Sequence, residues 1–220
     1  MFTAAFHRLE QIDNSGTIET KHTLGLSHWV HNAEKRLMTK ALDMEPLLAV
    51  ELNDIGKKVY ELKIFNAAAA VFELATTNPN QKNFLIDNFY LGNAIYYYNT
   101  RKDMAKPDPV MLQKANAAFE KVIEGSPNAK DAYLFNARTY RLLENDEKMA
   151  EFYQKYVDII VAAGPDEVTK AKAKMIEAYN NIAAHWANTD KNKAVEYFNK
   201  TLALDPANDY ATKSIKVLKP

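Results

Sequence analysis

The sequence predicts an all-α fold of about four helical hairpins, and a repeated spacing of small and bulky residues is the main reason. In four segments a small or core residue is followed by a bulky one four positions later and by another core-type residue three positions after that. These offsets place three side chains on one helix face, with the small residue where two helix backbones approach closely. The four sets are Ala68-Phe72-Ala75, Ala115-Phe119-Val122, Met149-Tyr153-Tyr156 and Ala194-Phe198-Thr201.

A second amphipathic segment precedes each set and carries its own pair of a small and a bulky residue, three positions apart. The pairs are Gly56-Val59, Gly92-Ile95, Ala137-Tyr140 and Ala183-Trp186. Each unit therefore has the pattern of two antiparallel helices, and an internal repeat of this kind determines the whole fold.

These residues resemble the tetratricopeptide repeat (TPR), a helix-turn-helix unit with small residues at its eighth and twentieth positions and a proline near its end. Leu91-Gly92-Asn93-Ala94 matches the core of a first helix, and the segment from Ala194 to Pro206 matches a second helix with its closing Asp-Pro. The third unit departs from the family, with Asn136 where leucine is preferred and Met149 where alanine is preferred. The resemblance implies a right-handed α-α superhelix of about four hairpins with a C-terminal capping helix.

The domain boundaries follow from the repeats and from proline, glycine and asparagine punctuation. We expect a degenerate N-terminal helical segment, four repeats and a capping helix. Their ranges are 1–45, then 46–79, 80–127, 128–165 and 166–206, and finally 207–220.

Helix boundaries in the first two repeats are predicted from caps and breakers. Pro46 suits a first helical turn, so helices are expected from Leu47 to about Leu62 and from Ile64 to Ala75. Asn80 is expected to cap a helix through Tyr98, followed by a charged insertion over 99–107. Asp108-Pro109 should begin a helix that ends near Gly125 in a left-handed closing residue.

In the last two repeats, Asn128 with Asp131 resembles a capping box for the helix that carries Tyr140. A partner helix is expected over 146–163, and Gly164-Pro165 should end it. Thr189-Asp190 marks the final hairpin turn. Asn208 should cap a last helix whose inward side chains are Tyr210, Ile215 and Leu218.

Composition excludes several function classes. The 28 basic and 28 acidic residues give a formal net charge of zero, so no global field attracts nucleic acid. No apolar run is long enough for a membrane span, and the absence of cysteine excludes disulfides and thiol catalysis. The sequence is expected to be soluble and fits either a cytoplasmic or a cell-envelope compartment.

No catalytic pattern is present: the sequence lacks a glycine-rich phosphate loop, a serine elbow and a distinctive carboxylate pair. We therefore expect a non-enzymatic protein without a cofactor or a resident metal.

The N-terminal segment offers two weak patterns. Residues 13–19 superficially resemble a calcium loop, but Gln11 and His22 fall where acidic ligands are required, so a plain Asn-Ser-Gly turn is favoured. Four histidines of this segment could assemble a transition-metal site with Glu34, although cap and loop histidines are the simpler interpretation. They are His7, His22, His28 and His31; the fifth, His185, is expected to pack beside Trp186.

In the family that the repeats resemble, the first helix of each unit lines a concave face that holds a protein segment. Transferring those positions gives a mixture of aromatic, amide and cationic side chains that suits an extended peptide. The predicted groove residues are Asn53, Lys57, Tyr60, Phe89, Tyr90, Asn93, Tyr97, Leu134, Arg138, Arg141, Asn180, Asn181 and Asn188.

The expected partner is thus a protein or peptide of unknown identity, with self-association left open. The carboxylate clamp of chaperone-tail receptors is not matched, because the fourth of its positions is the acidic Asp131. Two alternatives remain: a small-molecule or metal-binding domain, using the histidine-rich segment or the region of Tyr96-Tyr97-Tyr98 and the 99–107 insertion, and a structural fragment of a larger protein.

Overall fold

The computed structural model describes residues 47–219, and the regular structure in this range is entirely helical. The predictions for residues 1–46, including the histidine cluster, the 13–19 turn and the place of Pro46 in a first helical turn, lie outside the described residues. The helices are α1 (Leu47–Glu61), α2 (Phe65–Ala75), α3 (Phe84–Asn99), α4 (Pro109–Gly125), α5 (Lys130–Leu142), α6 (Asp146–Ala162), α7 (Pro165–Lys170), α8 (Lys172–Trp186), α9 (Lys191–Leu204) and α10 (Asp209–Leu218).

The chain divides into two compact units, with the boundary between Arg101 and Lys102. Unit 1 contains α1 to α3 and unit 2 contains α4 to α10. The boundary falls inside the predicted 99–107 insertion and within the range 80–127 that the sequence assigns to the second repeat. The repeat limits themselves stay predictions.

In unit 1, α2 packs against both α1 and α3. The crossing of α1 and α2 is close, because a Cβ atom on Gly56 would lie 2.6 Å from Cε1 of Phe72. Phe72 is completely buried, and Ala68 and Ala75, which share its helix face, are buried as well. Glycine on α1 therefore lets the phenylalanine of α2 fill the interface.

In unit 2, consecutive helices pack in pairs: α4 on α5, α5 on α6, α8 on α9, and α9 on α10, while α6 also contacts α8. Tyr153, Met175 and Phe198 are among the largest buried side chains of its core. The four predicted sets are confirmed in both units, since every one of their twelve side chains is at most 6% exposed.

Several predicted boundaries are confirmed. Asp108 accepts hydrogen bonds from the backbone N–H groups of Val110 and Met111 at 2.9 and 3.3 Å, and so caps α4. Asp190 caps α9 through the N–H of Lys193 at 3.0 Å. Asn208 caps α10 through the N–H of Ala211 at 3.1 Å. Gly164 follows the end of α6 and has a positive φ of 98°.

Two predicted N-terminal caps are wrong. Asn80 lies in a turn in which its N–H donates to Asn78 at 3.0 Å, and α3 begins only at Phe84. Asn128 provides no side-chain cap: Ala129 occupies the cap position of α5, and no side chain caps this helix.

Two predictions near helix ends are also wrong. Gly125 does not close α4 in a left-handed conformation; Gly164 is the only glycine of the described range with a positive φ. Tyr210 is 53% exposed instead of pointing inward, since Ala211 takes the buried position and Tyr210 contacts Phe198 edge-on at 5.6 Å. Ile215 and Leu218 pack against the core as expected.

Candidate partner-binding surfaces

An aromatic surface of unit 1 is formed by Tyr60 on α1 and by Tyr90 and Tyr97 on α3. The ring centroid of Tyr60 lies 5.3 Å from that of Tyr90 and 6.3 Å from that of Tyr97, both in edge-on geometry. All three side chains are half-buried. Burial, followed by the neighbouring hydroxyls of Tyr97 and Tyr90, raises the pKa of Tyr60, so its hydroxyl stays a neutral hydrogen-bonding group near pH 7.

The rings of this aromatic surface are held from behind by α2. Phe72 stacks on Tyr90 with 5.2 Å between centroids, and Phe65 stacks on Tyr97 with 5.3 Å. Beside them, the ammonium of Lys57 lies 5.8 Å from the ring centroid of Tyr90, within reach of a cation–π contact. The tyrosines therefore present fixed rings, because stacking restricts their rotation.

Phe89 and Asn93 occupy different environments on α3. Phe89 is half-buried, with its ring 6.2 Å from that of Tyr90. Asn93 is buried, and its side-chain amide donates to the backbone oxygen of Phe89 at 2.9 Å. The side-chain amide of Asn93, which the sequence analysis expected to bond a bound peptide, is thus hydrogen-bonded to its own helix.

Asn53 likewise makes an internal contact. It is 3% exposed and donates its amide N–H to Oδ1 of Asp87, while Gln81 donates to Oδ2 of Asp87 at 2.7 Å. Burial raises the pKa of Asp87, although the two amide donors and Lys57 lower it in part. This network joins α1 to α3 and the turn before it.

In unit 2 the predicted groove residue Arg138 on α5 forms an ion pair with Glu177 on α8. Its Nε and one terminal nitrogen donate to the two carboxylate oxygens at 2.7 and 2.6 Å. Tyr153 on α6 adds a third hydrogen bond, from its hydroxyl to Oε1 of Glu177 at 2.7 Å. Burial alone would raise the pKa of Glu177, but the bonds from Arg138 and Tyr153 hold it below its usual value.

The remaining predicted groove residues of unit 2 are dispersed. Asn180 accepts from the hydroxyl of Thr201 at 2.8 Å, and Asn181 donates to the backbone oxygen of Glu177 at 2.8 Å. Leu134 is fully buried in the core. Arg141 and Asn188 are exposed.

The structure thus brings Lys57, Tyr60, Tyr90 and Tyr97 together in unit 1, and places Arg138 and Asn181 around Glu177 in unit 2. Nothing in the sequence pattern indicated Glu177 or Asp87 as partners of predicted groove residues. Glu177 lies 39 positions from Arg138, and Asp87 lies 34 positions from Asn53. Spacing rules within one helix cannot predict pairs so far apart in the sequence.

A metal site, a membrane span and the environment of His185 were also considered in the described residues. Across residues 47–219, no group of three or more histidine or acidic side chains is arranged to hold a metal ion. Within the same range, no helix combines the length and the apolar character needed to cross a bilayer. His185 packs against Trp186 with 4.8 Å between ring centroids, which confirms its predicted packing role.

The chain matches no protein-family model and no curated protein, whereas several solved structures are similar. The C-terminal part of a TPR repeat-containing protein from Cytophaga hutchinsonii is 26% identical, with a TM-score of 0.62 over 86% of this chain and 73% of that one. The structure of MamA 41-end from Desulfovibrio magneticus RS-1 is 17% identical, with a TM-score of 0.53 over 84% and 97%.

A third similar structure is PilW, described as a widely conserved type IV pilus biogenesis factor. It is 17% identical, with a TM-score of 0.55 over 96% of this chain and 90% of that one. At such identities these two structures support the fold alone. Together with the buried repeat positions, the three likenesses identify this chain as a TPR-like helical repeat protein.

Proposed function

We propose that this chain is a non-enzymatic interaction scaffold that binds an extended segment of a partner protein, and that the aromatic surface of unit 1 makes the main contact. The observation that carries the proposal is the group of half-buried tyrosines at 60, 90 and 97, stacked on phenylalanines of α2. TPR-like folds are scaffolds on which the binding residues vary, so the assignment depends on this surface and not on the fold.

Tyrosine suits this task for a physical reason. Its ring buries a large apolar area while losing few rotatable bonds, and its hydroxyl bonds to a peptide backbone. Because the rings of Tyr90 and Tyr97 are already stacked on Phe72 and Phe65, little further entropy is lost when a partner covers them.

The internal contacts narrow the predicted groove to fewer residues. The amides of Asn53 and Asn93 bond other groups of unit 1, so they act as supports for the surface. In unit 2, Arg138 is held by Glu177, while the exposed Arg141 has its charge near the same carboxylate. The partner contact is therefore assigned to Lys57 and the three tyrosines.

The experiment is a peptide-display selection against the full chain, followed by affinity measurements on the selected peptides with Tyr97→Ala and Tyr90→Phe variants. Tyr97→Ala removes a ring from the aromatic surface and should weaken binding at least tenfold, about 1.4 kcal/mol. Tyr90→Phe keeps the stacking on Phe72 and tests the hydroxyl alone.

Tyr210→Ala is the matched control, because Tyr210 is an exposed tyrosine on α10 of unit 2. Circular dichroism must show that each variant keeps its helical content and melting temperature within a few degrees. Selected peptides that bind equally well to wild type and Tyr97→Ala, or that lose binding only with Tyr210→Ala, would refute the assignment.

A further inference from the structure

A polar cleft of about 390 Å³ lies in unit 2 between α4, the end of α5 and the turn that follows it. Its polar lining consists of Gln113, Asn116 and Glu120 on α4, Tyr140 on α5, and Asn145 in the turn. None of these residues belongs to the predicted groove or to the aromatic surface of unit 1. The volume falls near the lower end of the range of about 300–1,000 Å³ that small-ligand sites occupy.

Asn116 provides an acceptor that the protein does not use. The side chain is only 4% exposed, and its Oδ1 accepts no hydrogen bond from any residue in the described part of the chain. A buried amide oxygen without a donor costs about 1–3 kcal/mol, so most proteins satisfy such atoms. Asn116 also lines the cleft, so this unsatisfied oxygen lies at its wall.

Glu120 adds a negative charge on the same face of α4, one turn after Asn116. Its Oε1 accepts from the hydroxyl of Tyr140 at 3.1 Å, and Lys148, which interacts electrostatically with Glu120, forms its ion pair with Glu151. Burial and then Glu120 raise the pKa of Tyr140 to about 12, so this tyrosine remains a donor. Tyr140 thus fixes one carboxylate oxygen and leaves the other for a ligand.

We propose that this cleft binds a guanidinium group, with Glu120 as the counter-charge and Asn116 Oδ1 as a second acceptor. A guanidinium offers five N–H donors in one plane, and such a fork can span two acceptors one helical turn apart. Ala117 and Leu143 also line the cleft and give its apolar stem a surface to pack against.

The guanidinium can belong to a free molecule or to an arginine side chain of a partner protein, and two probes separate these sources. Blocked N-acetyl-L-arginine methylamide represents an arginine within a chain, and free L-arginine represents a small molecule. Each is titrated into the full ¹⁵N-labelled chain at millimolar concentrations, and saturable shifts of the backbone amides of Asn116, Glu120 and Tyr140 report binding. The uncharged isostere N-acetyl-L-citrulline methylamide is the ligand control.

Glu120→Gln tests the charge without removing the acceptor for Tyr140, because the amide oxygen can still accept that hydrogen bond. It should weaken binding of the arginine probe at least tenfold, and Asn116→Leu should weaken it several-fold. Glu124→Gln is the matched control, since Glu124 is an exposed glutamate one turn further along α4 that does not line the cleft.

Saturable binding of either arginine probe that is lost in Glu120→Gln and kept in Glu124→Gln supports the proposal. Binding of the blocked probe alone assigns the cleft to a partner's side chain, and binding of free L-arginine alone assigns it to a small molecule. The proposal is overturned if neither probe gives saturable shifts, if the citrulline control binds equally well, or if Glu120→Gln binds like wild type.

Discussion

At the residue scale, the buried asparagines of this chain differ in whether their amides are hydrogen-bonded. Asn88, Asn93 and Asn99 each donate to the backbone oxygen four positions earlier, at 2.8 to 2.9 Å. Asn136 is fully buried, yet neither its oxygen nor its nitrogen has a hydrogen-bond partner within the described part of the chain. Position 136 already stood out in the sequence, because the family that the repeats resemble prefers leucine there. The structure shows the consequence of this departure, which is a buried amide without hydrogen bonds.

We expect Asn136→Leu to stabilise the protein by about 1–2 kcal/mol. The substitution removes two unsatisfied polar atoms and keeps a branched side chain, so the desolvation cost of the amide disappears while packing is retained. The free energy of unfolding from urea denaturation measures the effect. The control is Asn93→Leu, which removes a hydrogen bond, so no gain in stability is expected from it. A loss of stability in Asn136→Leu would contradict the prediction and show that the amide of Asn136 is satisfied.

Gly56→Ala should destabilise the protein by about 1–3 kcal/mol, although alanine is the better helix former by about 1 kcal/mol. The reason is the contact of 2.6 Å that a Cβ atom would make with the buried ring of Phe72. Thermal denaturation of a double-mutant cycle with Phe72→Leu checks the cause. The double variant should be more stable than the sum of the single effects predicts, and simple additivity would contradict the clash.

At the element scale, sequence periodicity located most helices because their buried faces are formed by residues three and four positions apart. The predicted helix from Leu47 to about Leu62 is observed as Leu47–Glu61, and the predicted 146–163 as Asp146–Ala162. Two of the errors lie at N-termini, at Asn80 and Asn128, where the helices begin at Phe84 and Lys130 without any side-chain cap. Contacts between helices, such as Arg138 with Glu177, depend on how the elements pack, so a single sequence does not report them.

The ion pair of Arg138 with Glu177 connects three helices, because Tyr153 on α6 bonds the same carboxylate. Glu177→Gln should destabilise the protein by about 2 kcal/mol at pH 7, since the two charged partners are only 19% and 29% exposed and little screened. The control is Glu151→Gln, which breaks the exposed pair with Lys148 and should change stability little. Urea denaturation at pH 7 compares the two variants.

The same pair gives a pH dependence with a defined sign. The pKa of Glu177 is lower in the folded chain than in the unfolded one, so its contribution is fully present above the unfolded value of about 4.3. The contribution is lost as the pH falls through the lower, folded value. As the pH falls below the unfolded value of about 4.3, wild type should therefore lose more stability than Glu177→Gln; parallel pH profiles would contradict the assignment.

At the scale of the whole molecule, the sequence predicted an all-helical repeat fold correctly because the same buried spacing occurs four times. It predicted the candidate site only in part: the tyrosines at 60, 90 and 97 do meet in unit 1, whereas Asn53 and Leu134 are buried. Periodicity shows which residues share a helix face. It does not show whether an amide on that face binds a partner protein or a neighbouring carboxylate of the same chain, as Asn53 binds Asp87.

The division into two units also leads to a prediction, because its boundary falls in a connection without helical hydrogen bonds. Residues 101–108 have no regular secondary structure, and Lys102, Asp103 and Lys106 are exposed. A protease needs an extended, accessible segment, so limited trypsin digestion of the native chain should first cut the described part after Arg101 or Lys102. Mass spectrometry of the early fragments identifies the cut.

The lysines of α4 are the internal control for this digestion. Lys114 and Lys121 are exposed but lie within a continuous helix, whose backbone must unwind before cleavage. They should therefore be cut much later than Arg101 or Lys102. Early cleavage after Lys114 would contradict the prediction, because it would mean that α4 opens more readily than the connection before it.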